Sequence, residues 1–222
     1  MNQLYPLLFL QLNQSPDKYE EEKQMSNFTP TPKTQVKRGL KKATYDQETI
    51  YQIMDEALVC HVSCNWRDQT MIQPTLHWRE GDYLYIHGSS KNGLFQALLA
   101  GEEAAIGITL LDGLVFARSA FHHSVNFRSV IMYGKAKLIE EEQEKRRQLD
   151  LMLEKVKAGR SQEARPANDV ELKATAVLEF KIEQVSAKVR TGAPVDEPED
   201  MALDIWAGVQ PIRQVFDEII FE

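Results

Sequence analysis

Residues 117–130 read "ARSAFHHSVNFRSV", which sets Arg118, His122, His123, Asn126, Arg128 and three serines close together between two apolar runs. Such groups could ligate a metal, form a nucleophilic triad, line a cofactor pocket or close a polar turn. A second stretch, "YIHGSSKNGLFQALL", ends a strand-like run at His87 and passes through Gly88, Ser89, Ser90 and Lys91 into an amphipathic segment. Free N–H groups at a helix start, its positive dipole end, hydroxyls and a cation together suit an anion. Ser89 or Ser90 acting as an ordinary N-cap accounts for the same residues without a ligand. Lys91 fits that plainer reading less well, because a cation in the first turn opposes the dipole.

Spacing removes several alternatives. Adjacent strand residues point to opposite faces, so His122 and His123 do not make one ligand pair. The chain has no CxxC and no HExxH, and no metal site is expected. It has no GxSxG elbow, no GxGxxG after a strand and no GxxxxGK[ST] loop. No side chain stands out as a catalytic acid or base. A net charge of −7, from 26 basic and 33 acidic residues, argues against a general nucleic-acid binder.

These groups need a scaffold, and the hydrophobic period describes one. Asp46 is a good N-cap for a helix whose apolar face is Ile50, Ile53, Met54, Ala57 and Leu58, with Tyr45 and Ile50 as a hydrophobic staple. The period then changes to two. "LVCHVSCN", "QTMIQPTLHW" and "YLYIHG" read as strands, the last two a hairpin across "REGD". After a short helix over "KNGLFQALLAG" come "AAIGITLL" and "GLVFARSAF", joined by the turn signal "LDG", and then "FRSVIMYGKAKLI". A helix over residues 140–158 buries Leu149, Met152, Leu153 and Val156, and Gly159 ends it. "TAVLEFKIEQV" and "SAKVR" are further strands, and "IWAGVQPI" leads into a short terminal helix. Many short strands with few helices imply a closed or partly closed antiparallel barrel.

Cys60 and Cys64 lie four apart on a strand, about 13 Å at ~3.3 Å per residue, so they do not bridge without a bend. A reducing, cytoplasmic setting follows. Cys60 reads as a small buried hydrophobe, and His61 and His77 as structural. "MNQLYPLLFLQL" is too short to span a bilayer, which takes about 20 residues, and it is a poor signal peptide. No membrane association is expected. Residues 1–34 are expected to be a disordered or mis-started tail, with Met25 as a candidate true start, and residues 35–222 one domain.

"ALVCHV", "LYIHGSSKN", "TLLDGLVFARSAFHHSVNFRSVIMYGKAK", "ELKATAVLEFKIEQVSAKVRTGAPVD" and "IWAGVQPI" resemble the pyridoxamine 5′-phosphate oxidase-related flavin-nucleotide-binding family, close to its nitroimidazole-resistance-like subgroup. The likeness spans about residues 35–212. It implies a mainly β, FMN-binding split β-barrel of Greek-key antiparallel form with a few flanking α-helices. It also implies a homodimer with FMN at the subunit interface. On that resemblance His87, Gly88, Ser89, Ser90 and Lys91 form the phosphate and ribityl region, and Gln73, Pro74 and Thr75 lie along the isoalloxazine. His122, His123, Asn126, Phe127, Arg128 and Ser129 stand near ring or phosphate. Lys188, Arg190 and Trp206 come in, from the same or the partner subunit; Trp206 as plain core is the alternative. The C-terminal arginine signature of true pyridoxamine-phosphate oxidases is missing. The implied function is an FMN-dependent oxidoreductase acting on a small molecule. The alternatives are a flavin storage or sensing protein, and a haem-binding or haem-degrading split barrel.

Overall fold

The structure is a computed structural model that describes residues 26–221. A two-residue strand, β1 (Ala43–Thr44), precedes helix α1 (Gln47–Glu56). Asp46 starts that helix by accepting from the Thr49 amide at 2.8 Å, one of the donors a first turn leaves unpaired. Ile50, Ile53 and Met54 are buried on its inner face. There follow β2 (Val59–Trp66), β3 (Gln69–Glu80), β4 (Tyr83–Ser89), α2 (Gly93–Leu99), β5 (Glu103–Phe116) and β6 (Ser124–Leu138). Three helices, α3 (Glu142–Val156), α4 (Arg160–Glu163) and α5 (Asp169–Ala174), lead to β7 (Thr175–Lys181), β8 (Gln184–Arg190) and β9 (Gly208–Pro211).

Every strand pairing is antiparallel, and six strands close a ring in the order β6–β7–β4–β3–β2–β5 and back to β6. β8 continues from β6 and carries β1, while β9 continues from β5. β6 serves two sheets, since residues 127–133 pair with β8 and residues 136–138 with β7. The expected split barrel is therefore present. Alternate residues fill it: Cys60, Val62 and Cys64 from β2, Leu84 and Ile86 from β4, Ile106 and Ile108 from β5, Val130 and Met132 from β6. Burial pushes the Cys60 thiol up to about 12, as befits a buried hydrophobe. A second small core sets Trp78, Tyr85 and Val177 under Leu149 and Met152 of α3.

Five expectations change. "LDG" is not a turn: β5 runs straight through it with a bulge between Leu111 and Gly113. Gly113 is needed for close approach instead, because a Cβ there would lie 3.1 Å from the Gln210 carbonyl oxygen of β9. The terminal helix is absent. Gly208–Pro211 pair with β5, and residues 212–221 form no helix, with Val215, Phe216 and Ile220 exposed. A short helix without a packed face is marginal in water. In α3 the fully buried residue is Gln148, while Val156 is exposed. Gln148 accepts from the Trp78 indole N–H at 2.8 Å and donates to Glu80 at 2.8 Å, so its amide is satisfied inside. The domain also begins before residue 35. Phe28 packs on the main core, its amide donates to the Tyr45 carbonyl at 2.9 Å, and Thr34 is buried. The rest of the expected tail, with Met25, lies outside the described residues. Finally, neither Ser89 nor Ser90 caps α2. Asn92 does, accepting from the amides of Leu94 and Phe95.

His77 is fully buried, with Nε2 at 2.9 Å from the Met54 carbonyl oxygen, to which it donates, and Nδ1 unpaired among the described residues. Burial pushes its pKa down from 6.5 to about 4. The unfolded chain therefore binds the extra proton between those values. Stability should be complete above pH 6.5 and fall as pH drops towards 4, by at most about 3 kcal/mol. Denaturant midpoints at pH 7 and pH 4.5 measure this. His77→Gln, which cannot titrate, should flatten the slope; an equal slope in both proteins would place the acid sensitivity elsewhere.

Candidate cofactor site

The sequence-predicted residues fall into three groups. The first is the end of β4. Gly88 lies against Phe95 of α2, and an added Cβ would meet the ring at 2.9 Å. Phe95 is buried, so Gly88→Ala should lower stability by about 1–3 kcal/mol in urea melts. Phe95→Leu in the same chain should recover part of it; no recovery would mean that the ring is not the obstacle. The amides beyond Gly88 are engaged. Ser90 N donates to the Ala174 carbonyl at 2.9 Å, Lys91 N to Ser89 Oγ at 3.2 Å and Asn92 N to the Ser89 carbonyl at 2.9 Å. What remains for an anion is side chains: the exposed Lys91 ammonium, without an ion-pair partner among the described residues, and the Ser90 hydroxyl. Lys91 stands ahead of the N-cap, so it does not sit within the first turn. Asn92 also donates to Gln73 Oε1 at 2.8 Å, tying α2 to β3. His87 packs at 6.0 Å from the Trp78 ring, with a buried Nδ1 unpaired among the described residues, and burial lowers its pKa.

The second group lies on the barrel's outer face. Paired residues in adjacent strands share a face, and the register divides the expected set. Gln73 and Thr75 pair with the buried Val62 and Cys60 and point inward. Pro74 pairs with His61 and points outward, as do Ser129, Lys188 and Phe127 through Thr109↔Ser129↔Lys188 and Leu111↔Phe127. Around them Val59, Ile72, Leu111 and Ile131 are exposed. Arg128 points the other way. It is hydrogen-bonded to Asp112 at 3.0 and 2.8 Å and also to Glu56, partners that raise its pKa further and occupy its charge. A cleft of about 620 Å³ lies beside this ion cluster, between it and residues 212–216.

The third group is the hairpin arm formed where β5 and β6 run on past the ring. Ser119 caps the 3-10 turn Ala120–His122. Its carbonyl lies 3.1 Å from His123 Nδ1. A carbonyl only accepts, so Nδ1 carries a proton, and in the neutral ring Nε2 keeps the lone pair. His122 Nε2, in contrast, lies 3.5 Å from Glu197. The His123 ring stands edge-on to Phe116 at 6.1 Å, and Trp206 packs on Phe116 at 5.2 Å. Trp206 is 73% exposed and Phe121 88% exposed, so Trp206 is not core. Buried Asn126 donates to the Gly192 carbonyl at 3.1 Å and accepts from Arg190. Asn92, Phe116 and Asp196, which anchors this arm, were not singled out by sequence. Asn92 was legible as an N-cap before an apolar run; Asp196, 78 positions from its partner Arg118, gave no signal.

Within one chain the first and third groups do not meet. Cys60 pairs with Thr75, and His61 with Gly107, whereas Asn126 pairs with Gly113. Thr75 stands level with Gly88 in the β3–β4 register, so Asn126, at the base of the arm, stands roughly 16 Å further along β5 than the end of β4 at ~3.3 Å per residue. Among the described residues no cluster of three or more His, Cys, Asp or Glu suits a metal ion, and no helix is long and apolar enough to cross a membrane.

A family model described as pyridoxamine 5′-phosphate oxidase matches residues 46–189. Among solved structures, the flavocytochrome Anf3 from Azotobacter vinelandii is 43% identical, with a TM-score of 0.82 over 87% of this chain and 90% of that one. An FAD- and haem-binding protein from Mycobacterium smegmatis is 32% identical, with a TM-score of 0.78 over 82% and 89%. A protein assigned to 5-nitroimidazole antibiotic resistance from Bacteroides thetaiotaomicron shares the fold at 22% identity, with a TM-score of 0.57 over 66% and 86%. A search of curated proteins found no match. The closed ring, the strand-end cluster and the matched residues together place the chain in the pyridoxamine 5′-phosphate oxidase family of flavin-binding split barrels.

Proposed function

We propose that this chain is a homodimeric, cytoplasmic oxidoreductase that binds a flavin nucleotide and a haem, and that it serves electron transfer to or from a small molecule. The observation that carries the haem half is His123. Its Nδ1–H is held by a backbone carbonyl, and in the neutral ring its Nε2 lone pair has no partner among the described residues, the arrangement an axial ligand needs. Phe116, Phe121 and Trp206 supply apolar surface for a porphyrin beside it. The 43% identical flavocytochrome supports the same reading.

For the flavin, Lys91 and Ser90 would hold the phosphate, and the outer face at Pro74, Ser129 and Lys188 would receive the ring. The M. smegmatis relative favours FAD over FMN, and Lys91 and Ser90 suit the phosphate of either. Flavin supplies one- or two-electron chemistry and haem one-electron chemistry when bound. The chain's own part is to fix both by these contacts and to exclude water with the aromatic arm. Dimerisation is supported by the roughly 16 Å separation of the two polar groups along the strands. It is supported too by the exposed Val59, Ile72, Leu111 and Ile131, which a second subunit would cover.

The test is spectroscopic. Protein reconstituted with haem and flavin should show both a Soret and a flavin band, and mass measurement of the released flavin separates FAD from FMN. His123→Ala should remove the Soret band and leave the flavin. A wild type that takes up no haem overturns the haem half, and one that takes up no flavin overturns the other. Sedimentation of a flavin-loaded monomer would overturn the dimer.

A further inference from the structure

Segment 191–207, between β8 and β9, carries Asp196, Glu197, Glu199, Asp200 and Asp204 and no lysine or arginine. Most of it faces water, but the Asp196 side chain is only 1% exposed. Its carboxylate accepts from Arg118 N at 2.8 Å, from the Arg118 guanidinium at 3.0 Å and from the Ser119 amide. Burial alone would raise its pKa; those three donors hold it below the usual carboxylate range. The residue it grips is the one before the turn. Ser119 then offers its carbonyl to the His122 amide at 3.1 Å and to His123 Nδ1 at 3.1 Å. Further along the same segment, Trp206 leans on Phe116, which abuts His123.

From this connected set we infer that Asp196 is a positioning residue for His123, acting through Arg118 and the Ser119 carbonyl. The inference rests on the His123 reading above for its consequence in haem binding, but not for its geometry. An unanchored Ser119 carbonyl no longer selects the Nδ1–H form of the imidazole or the direction of Nε2. Partners at this remove from a metal tune its affinity by about 10–100-fold, and an effect passed on through a further residue belongs at the low end.

Two measurements separate the inference from the reading it rests on. In the haem-free protein, nitrogen NMR of the imidazoles should find His123 in the Nδ1–H form. Asp196→Ala should convert it to a mixture of tautomers. Asp196→Asn, which keeps the shape and one acceptor, should restore most of the Nδ1–H form and guards against misfolding of the alanine variant. Titration with haem should then show about tenfold weaker binding and a shifted Soret band in Asp196→Ala, with binding close to wild type in Asp196→Asn. Flavin binding should be unchanged in both. An unaltered tautomer in Asp196→Ala overturns the inference whatever haem does. Haem retained at full affinity by His123→Ala overturns the ligand assignment and leaves the tautomer result standing.

Discussion

Lys91→Met should weaken flavin-nucleotide binding by about ten- to a hundredfold, equivalent to ~1.5–3 kcal/mol for one charge-assisted contact. The reason is how little else remains at the end of β4. The amides of Ser90, Lys91 and Asn92 already donate within the protein, and Asn92 occupies the cap of α2. A phosphate there would depend on the Lys91 charge and the serine hydroxyls. Methionine keeps the length and apolar stem. Riboflavin, which has no phosphate, should bind variant and wild type alike, and the melting temperature of the flavin-free protein should not fall. Equal nucleotide affinity in the two proteins would place the phosphate elsewhere, leaving Ser89–Lys91 as a turn that delivers β4 to α2.

Trp78→Ala should lower stability by about 3–5 kcal/mol, the range for deleting a large buried aromatic side chain. Trp78 stacks on Tyr85 at 5.7 Å and 14°, borders His87, and donates to the buried Gln148. Removing it opens a cavity between β3, β4 and α3 and leaves the Gln148 oxygen without its donor. Trp78→Phe keeps much of the volume but still strands that oxygen, at about 1–3 kcal/mol. Hydrogen exchange should quicken first in α3, which this small core holds to the barrel. A loss under 1 kcal/mol for the alanine variant would mean that α3 is anchored by its ion pairs instead, such as Arg147 with Glu80.

How far the sequence could be read depended on the reach of each interaction. Asp46, three residues from the Thr49 amide it caps, was legible, as was the alternation that buries Cys60, Val62 and Cys64. Signals that local chemistry makes ambiguous were misassigned. "LDG" has the composition of a turn, and only its pairing with β6, where the register shifts between Leu111 and Gly113, shows that it is a bulge. Gln148 was not among the buried residues expected of α3, because its partners lie on β3, 70 and 68 positions away. In the candidate site, the residue types were found, but not their faces. Pro74 and its neighbours Gln73 and Thr75 point to opposite sides, and Arg128 is claimed by Asp112 and Glu56. Those outcomes depend on ring register and on α1, which no window of sequence contains.

The six-stranded ring has a consequence during synthesis. β4 is made early, yet one of its edges finds its partner only in β7, where Ser89 pairs with Thr175 and Tyr83 with Lys181. At translation speeds of about 5–20 residues per second, that edge stays open for roughly 5–20 seconds after β4 leaves the ribosome. A nascent chain in that state displays an unpaired strand edge bearing Tyr83, Leu84, Tyr85 and Ile86, able to pair with a neighbouring chain on the same message. The helical stretch α3–α5 lengthens the interval before β7 arrives, so chaperones that shield strand edges should raise the yield of this protein.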